Sequence, residues 1–227
     1  MRAPWVLTAV VALAPAVASA EPCPVFGLRP VVETPAGAAI ASDGGFVVGL
    51  RSRPGDDGSI AGWKLRAGGA PAAPTADEIA PGLTVLRIPP KATEAILLDD
   101  KGKQVAKAKV VPGAPTTMAA PRVIGIVSGT SRAVHPTTFV VVELDGAPPD
   151  DALALVVADP TGVARSWGPV MGKMSRVAVY DTQSGCGTHP AGTILSRPGD
   201  KVVAFWVDAR GHRSPVTPRI VVDAPRR

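Results

Sequence analysis

The sequence predicts an all-β fold, and three observations lead to that prediction. Proline (25 residues) and glycine (24 residues) together exceed a fifth of the 227-residue chain. Between them lie short apolar runs in which valine is frequent. Runs of the residues that favour helices, such as leucine, glutamate, lysine and glutamine, are nearly absent. Frequent turn residues between short valine-rich runs are typical of a β-sandwich or a β-barrel.

The first 20 residues have the pattern of a secretory signal peptide. A short basic start, Met1-Arg2, precedes an apolar run over residues 3–17 and the small residues Ala18-Ser19-Ala20, which is the arrangement of a cleavable signal. The apolar run is shorter than the roughly 20 residues that span a membrane. We therefore expect cleavage after Ala20, and a mature chain that begins at Glu21, has no membrane span and lies in the periplasm or outside the cell.

The positive charge of the chain is modest and narrows the classes of partner. The sequence has 24 basic and 19 acidic side chains, a formal net charge of +5. In an exported protein, this excess is compatible with an envelope protein or an anionic envelope polymer as partner, and nucleic acid is not expected in that compartment. No motif for a cofactor is present, so none is expected.

A proline-rich segment divides the mature chain into two predicted domains. Residues 112–121 carry no charge and contain three prolines, which prevent ladder pairing. The sequence thus predicts a first β-sandwich domain at residues 21–111, a linker at 112–121 and a second β-sandwich domain at 122–227.

Strands are predicted where apolar runs lie between turn residues. In the first domain these are residues 23–32, 46–50, 60–66, 83–88, 94–98 and 103–111, with residues 34–45 as a connecting loop. In the second domain they are residues 123–127, 139–144, 152–157, 163–167, 176–180, 201–208 and 216–222. The run over residues 201–208 is apolar on both faces, which places it inside a packed sheet.

The two predicted domains weakly repeat one another, and one segment resembles a known family. Phe46-Val-Val-Gly-Leu50 matches Phe139-Val-Val-Val-Glu-Leu144, and Asp99-Asp-Lys-Gly102 matches Asp208-Ala-Arg-Gly211. Residues 195–222 resemble the end of bacterial Ig-like and fibronectin type III-like modules, which often run Pro-Gly, an alternating strand, then Asp-x-x-Gly-x-x-Ser-Pro. The resemblance implies two tandem sandwich domains of this kind with Greek-key connections. It implies no activity, because such modules serve as binding units, spacers and enzyme appendages.

The glycine-rich stretch 180–192 holds Cys186, one of two cysteines, and His189, one of three histidines. Two cysteines in an exported protein of this size favour a disulfide, here Cys23–Cys186. It would tie the mature N-terminus to the second domain and close a loop of about 160 residues, for which the chain-entropy model allows about 5 kcal/mol at most. A free buried thiol and a bond between two molecules remain as alternatives.

Cys186-Gly-Thr-His189 also has the spacing of a pair of metal ligands. Thiolate and imidazole together suit zinc or copper, but a site needs three or four ligands. The remaining histidines, His135 and His212, belong to no ligand motif. A periplasmic metal-binding protein that uses Cys186 and His189 is the alternative function hypothesis.

The sequence contains no catalytic motif. No G-x-S-x-G elbow is present, and Cys186 acting as a nucleophile with His189 would require a reduced thiol, which a bond to Cys23 would abolish. The main hypothesis is therefore an exported, non-enzymatic binding or structural module of the bacterial envelope.

The one cluster of charge consists of Lys101, Lys103, Lys107 and Lys109. In a regular strand, residues 103, 107 and 109 share a face, since side chains alternate. This arrangement could form a cationic stripe for an anionic polymer, or it could protect an edge strand against aggregation. Edge protection is the simpler explanation, and the sequence favours it over a cationic stripe.

Overall fold

A computed structural model describes residues 26–54, 58–113, 118–130, 137–184, 187–188 and 197–224. Within this part of the chain there are 16 β-strands and no helix. The strands form four sheets of four strands each. The predicted all-β class is thus confirmed. No helix among the described residues is both long and apolar enough to cross a membrane.

Residues before the predicted linker form two of the sheets. Sheet 1 has the order β1-β3-β6-β5, with β1 at Phe26–Val32, β3 at Gly45–Pro54, β5 at Thr75–Ala80 and β6 at Leu83–Arg87. Sheet 2 has the order β2-β8-β7-β4, with β2 at Ala39–Ala41, β4 at Lys64–Arg66, β7 at Glu94–Leu98 and β8 at Gln104–Val111. All neighbours pair antiparallel except β2 and β8, which are parallel. The first strand, β1, lies at the edge of its sheet.

Residues after the predicted linker form the other two sheets. Sheet 3 has the order β14-β13-β10-β9, with β9 at Val123–Thr130, β10 at Thr137–Leu144, β13 at Arg176–Ser184 and β14 at Gly187–Thr188. Sheet 4 has the order β12-β11-β15-β16, with β11 at Ala152–Ala158, β12 at Ala164–Pro169, β15 at Lys201–Asp208 and β16 at Ile220–Val221. After β16 the chain reaches sheet 3, where Asp223 pairs in parallel with Val127 of β9.

Three hydrophobic cores hold the four sheets in one stack. The first lies between sheets 2 and 1 and includes Phe46, Trp63 and Leu97. The second lies between sheets 3 and 4 and includes Ile126 and Trp206. The third, which we call the joining core, lies between sheets 1 and 4 and consists of Val47, Ile79, Ala80, Leu83, Val85, Ala154, Val156, Ala158, Trp167, Val203, Phe205 and Val207. The sheets therefore follow one another in the order 2, 1, 4 and 3.

The joining core explains why β15 is apolar on both faces. Val202, Ala204 and Trp206 point into the core between sheets 3 and 4. Val203, Phe205 and Val207 point the other way, into the joining core. The sequence correctly predicted that this strand is buried on both sides, and the structure shows that its second face meets the N-terminal half of the chain.

Three hairpins have the same Asp-x-x-Gly design. They occupy residues 99–102, 159–162 and 208–211, and in each the aspartate Oδ1 accepts hydrogen bonds from the backbone N–H groups two and four residues later, at 2.8–3.1 Å. The glycine has φ of +78°, +90° and +81° respectively, a conformation that glycine adopts without steric cost. The carboxylate and the glycine together fix the turn.

Asp159 is the most strongly held of these carboxylates. Its Oδ1 accepts a hydrogen bond from the hydroxyl of Thr161 at 2.5 Å, and its Oδ2 accepts one from Arg165 at 2.6 Å. These bonds, the first above all, together with the N–H groups of Val163 and Thr161, lower the pKa of Asp159 to about 2, although burial opposes the shift.

Several strand boundaries differ from the prediction. The predicted loop 34–45 contains β2, a three-residue strand that exists because β8 provides a parallel partner. Strand β5 was not predicted, since Thr75-Ala-Asp-Glu-Ile-Ala80 lacks an alternating pattern and is ordered by its pairing with β6. Within the predicted strand 60–66, only Lys64–Arg66 is extended.

The predicted strand 216–222 is reduced to β16, and side chains replace part of its pairing. Proline has no N–H group to donate to a neighbouring strand. Pro215 directly precedes this stretch, and Pro218 lies within it. The hydroxyl of Ser214 accepts a hydrogen bond from the N–H of Trp206, and that of Thr217 accepts one from the N–H of Ala204, both at 2.9 Å. Backbone N–H groups along the edge of β15 thus have hydrogen-bond acceptors without a regular strand beside them.

Part of the predicted linker belongs to a core. Met118 is only 8% exposed and packs between sheets 3 and 4, and Pro121 is buried. Residues 114–117 lie outside the described part of the chain. The division at residues 112–121 stays a prediction, since the sheets on its two sides also share the joining core.

Candidate functional site

The predicted disulfide and metal residues Cys23, Cys186 and His189 lie outside the described residues, so both sites stay predictions. The strands beside the two cysteines do lie together. β1 begins three residues after Cys23, β14 begins directly after Cys186, and the two strands are in contact. Over the described ranges, no three His, Cys, Asp or Glu side chains are grouped as metal ligands.

The four predicted lysines divide into two groups. Lys107 and Lys109 lie in β8 and are exposed, with Ala108 and Val110 buried on the opposite side. Lys101 and Lys103 lie in the hairpin before β8, where their N–H groups bind Asp99. The register between β7 and β8 shifts at this point, because Leu97 faces Ala106 whereas Leu98 faces Gln104. Regular alternation therefore does not extend from Lys107 back to Lys103.

The structure adds two cations from a different strand. In β4, Leu65 is buried, so Lys64 and Arg66 point to the outside of sheet 2. Arg66 faces Ile96 of β7, and Ile96 in turn faces Lys107 of β8. Lys64, Arg66, Lys107 and Lys109 thus share the outer surface of sheet 2, which we call the basic face.

The charges of the basic face are only partly neutralised. Glu94 of β7 lies opposite Lys109 but forms its ion pair with Lys107, at 2.7 Å. Lys64, Arg66 and Lys109 form no ion pair with any residue that the structure describes. Four cations and one carboxylate leave a net charge of +3 on this surface.

On the other sheets, several strand cations are neutralised. Sheet 1 pairs Arg51 with Glu33 at 2.5 Å, sheet 3 pairs Arg176 with Glu143 at 2.8 Å, and sheet 4 pairs Arg165 with Asp159 at 2.6 Å. At the surface, Lys173 donates a hydrogen bond to Asp150, and this bond and the lysine charge lower the pKa of Asp150. The contrast makes the unpaired cations of the basic face a candidate site.

A shallow depression adjoins the basic face. It has a volume of about 420 Å³ and is lined by Arg66, Gly68, Gly69, Thr93, Glu94 and Ile96. A β-carbon on Gly69 would meet nothing within 4 Å, so the wall on that side is low. The depression offers Arg66 as a cation beside the apolar surface of Ile96. It is open rather than enclosed, which suits part of a long ligand better than a small buried one.

A second polar cluster lies where the two halves meet. The Nε2 atom of His212 is 3.4 Å from Oδ1 of Asp43, and its Nδ1 atom is 3.5 Å from Oδ2 of Asp208. Neither buried ring nitrogen has a hydrogen bond within the described structure. Nearby, the N–H of Gly45 donates to the carbonyl of Arg210 at 3.0 Å. The ring of His212 thus lies between one carboxylate from each half of the chain.

Sequence reasoning missed both long-range groupings. The alternation Lys64-Leu65-Arg66 does indicate that two cations share a face, but not that β7 and β8 extend the same face. The sequence places His212 in no ligand motif. Its neighbour Asp43 is distant in the sequence, and no local pattern links the two.

The fold and the site together define an all-β protein of two facing pairs of sheets with a basic outer face. No family model matches the chain, and no curated protein sequence is significantly similar to it.

Proposed function

We propose that this protein is exported and acts as a rigid, non-enzymatic binding or structural module of the bacterial envelope. The observation that carries the proposal is the joining core, which connects the two halves through twelve buried residues, including Val85, Trp167 and Phe205. Interfaces between mobile domains are usually more polar. A large apolar contact favours a fixed arrangement, which is suited to presenting a surface rather than to opening and closing around a substrate.

Close backbone contacts between the halves support the same proposal. A β-carbon on Gly211 would lie 2.7 Å from Cγ2 of Val85. A β-carbon on Gly44 would overlap the carbonyl oxygen of Arg210. These approaches require glycine, and they leave little room for one half to slide over the other.

Each half is proposed to be an Ig-like or fibronectin type III-like sandwich. The supporting features are the two facing sheets in each half and the repeated Asp-x-x-Gly hairpin. Export is proposed from the signal-peptide pattern of residues 1–20.

Expression of the full chain in a bacterial host, followed by fractionation and mass spectrometry, tests the proposal. We expect a mature protein that begins at Glu21 in the exported fraction and no turnover in hydrolase and transferase screens. An uncleaved chain in the cytoplasm would contradict export. Turnover that is lost on Cys186→Ser would contradict the non-enzymatic role.

The alternative, a metal-binding protein that uses Cys186 and His189, is decided on the same material. A disulfide between Cys23 and Cys186 is incompatible with a thiolate ligand at Cys186. Thiol titration before reduction, together with metal analysis of protein purified under reducing conditions, separates the two. A bound metal at about one equivalent, lost on His189→Ala, would favour the alternative.

A further inference from the structure

We infer that the basic face of sheet 2 binds a linear anionic polysaccharide that carries carboxylate groups. The inference rests on the proposed function, since it assumes an exported binding module. It combines the arrangement of Lys64, Arg66 and Lys109 with the coverage of the strand edges beside them.

Edge protection does not account for these three cations. Lysines protect an edge strand whose backbone groups are unpaired. Lys109 lies on a part of β8 that β2 covers, since Ala39 pairs with it in parallel. The outer edge of β4 is covered by the chain's own Ala72, which exchanges two backbone hydrogen bonds with Leu65, at 2.7 and 3.0 Å. Of the four cations, only Lys107 lies on a part of β8 whose outer edge is not paired with another described strand.

The spacing of the cations suits an extended ligand. Side chains two residues apart on one face of a strand are separated by about 7 Å, and residues two strands apart are separated by about 10 Å. Lys64 and Arg66 occupy one strand, and Lys107 and Lys109 occupy the second strand along. The four charges therefore mark the corners of a flat patch rather than converging on one point.

The centre of the patch favours a hydrated polymer over a lipid surface. Ile96 lies between Arg66 and Lys107 in register and is only 8% exposed. An amphipathic element that lies on a membrane surface inserts apolar side chains among the lipids in addition to its basic charge. Among the described residues, the most exposed large apolar side chain, Ile124, is 70% exposed and lies on sheet 3, at the other end of the stack.

The depression beside Arg66 gives the patch a place for one sugar unit. The guanidinium of Arg66 can donate two parallel hydrogen bonds to a carboxylate. Ile96 forms the floor of the depression, and the open turn at Gly68 and Gly69 forms its low wall. Glu94 is the one acidic group in the lining and is already paired with Lys107. An anionic sugar thus meets a free guanidinium rather than a free carboxylate.

The test compares two triple variants of the mature full chain in binding to polygalacturonate. The first replaces Lys64, Arg66 and Lys109 by glutamine. The matched control replaces Arg197, Lys201 and Arg219, which are exposed cations of the C-terminal half, and therefore changes the net charge equally. A third variant, Lys64→Arg with Lys109→Arg, keeps the charge and leaves Arg66 in place. Circular dichroism and urea midpoints show whether each variant is folded.

We expect the first variant to weaken binding at least about tenfold, at roughly half a kcal/mol for each exposed cation. The control and the charge-conserving variant should stay within about twofold. The affinity of the unmodified protein should fall as salt shortens the Debye length from about 30 Å at 0.01 M to about 8 Å at 0.15 M.

Three results would overturn the inference. The first is no binding to polygalacturonate by the unmodified protein at low salt. The second is an equal loss in the two glutamine variants, because that would show a net-charge effect without a site. The third is binding to phosphatidylglycerol-containing vesicles but not to polygalacturonate, which would identify a lipid surface instead. None of these results bears on export or on the absence of turnover, so the proposed function would be judged separately.

Discussion

The indole ring of Trp167 lies directly over the backbone of Gly49. A β-carbon on Gly49 would come within 2.7 Å of Cζ2 of Trp167 and within 2.7 Å of Oε1 of Glu33. Trp167 belongs to sheet 4 and Gly49 to sheet 1, so the contact joins the two halves of the chain. Glu33 is fixed by its bidentate pair with Arg51 and cannot easily move away. Any side chain at position 49 would therefore push against Trp167 and disturb the packing of sheet 1 on sheet 4.

We predict that Gly49→Ala destabilises the protein by about 1–3 kcal/mol, because the added methyl group overpacks a buried contact. The measurement is the urea midpoint of unfolding. Gly69→Ala is the matched control, since a β-carbon there meets nothing within 4 Å, and it should change stability by no more than about 0.5 kcal/mol. Equal midpoints for the two variants would show that Trp167 does not press on Gly49 in solution.

We predict that Phe205→Ala destabilises both halves together. Phe205 is 3% exposed in the joining core, and truncating a buried phenylalanine costs about 3–5 kcal/mol. If the four sheets unfold as one unit, amide hydrogen exchange should accelerate in β3 and β6 as much as in β11 and β15. Ile124→Ala, at a residue that is 70% exposed, is the control. Unchanged exchange in β3 and β6 would mean that the halves unfold independently.

We predict an acid-dependent contribution from Asp159. Its pKa is lowered from 3.8 to about 2 by hydrogen bonds from Thr161 and Arg165. A carboxylate whose pKa falls on folding stabilises the native state above the unfolded pKa, and this stabilisation disappears as the pH falls through the folded pKa. The urea midpoint of the unmodified protein should therefore exceed that of Asp159→Asn at neutral pH.

The gap between these two midpoints should stay constant down to about pH 4 and close between about pH 4 and pH 2. A difference between Asp159→Asn and the unmodified protein that persists unchanged to pH 2 would count against the predicted linkage.

We predict that the two cysteines are joined. Because β1 and β14, which follow Cys23 and Cys186 closely in sequence, are in contact, thiol titration of the denatured exported protein should find no free thiol before reduction. Cys23→Ser and Cys186→Ser should each cost up to about 5 kcal/mol, and the double variant should be no less stable than either single one. Two free thiols in the exported protein, or additive losses, would refute the bond.

The strands whose apolar runs end clearly at turn residues were predictable from the sequence, as were the turns themselves. β7 at Glu94–Leu98 and β15 at Lys201–Asp208 have the predicted bounds, because each contains a continuous apolar run that leads into an Asp-x-x-Gly turn. The turn itself depends on one carboxylate and one glycine only a few residues apart. Such contacts are local, so the pattern of neighbouring residues specifies them.

The short strands were not predictable in the same way. β2 at Ala39–Ala41 and β5 at Thr75–Ala80 have no strong pattern of their own, and each is extended because a partner strand satisfies its backbone. β-structure depends on cross-strand neighbours more than on intrinsic preference.

The sequence by itself determined the all-β class, the positions of the main strands and the repeated Asp-x-x-Gly segments at residues 99–102 and 208–211. Only the tertiary structure decided that sheets 1 and 4 face one another, that Lys64 and Arg66 join Lys107 and Lys109 on one surface, and that His212 lies beside Asp43. The physical reason is that turns and strand faces depend on residues close together in the chain. The choice of which sheet covers which, and in which register, depends on side chains that are far apart in sequence and meet only in the folded protein.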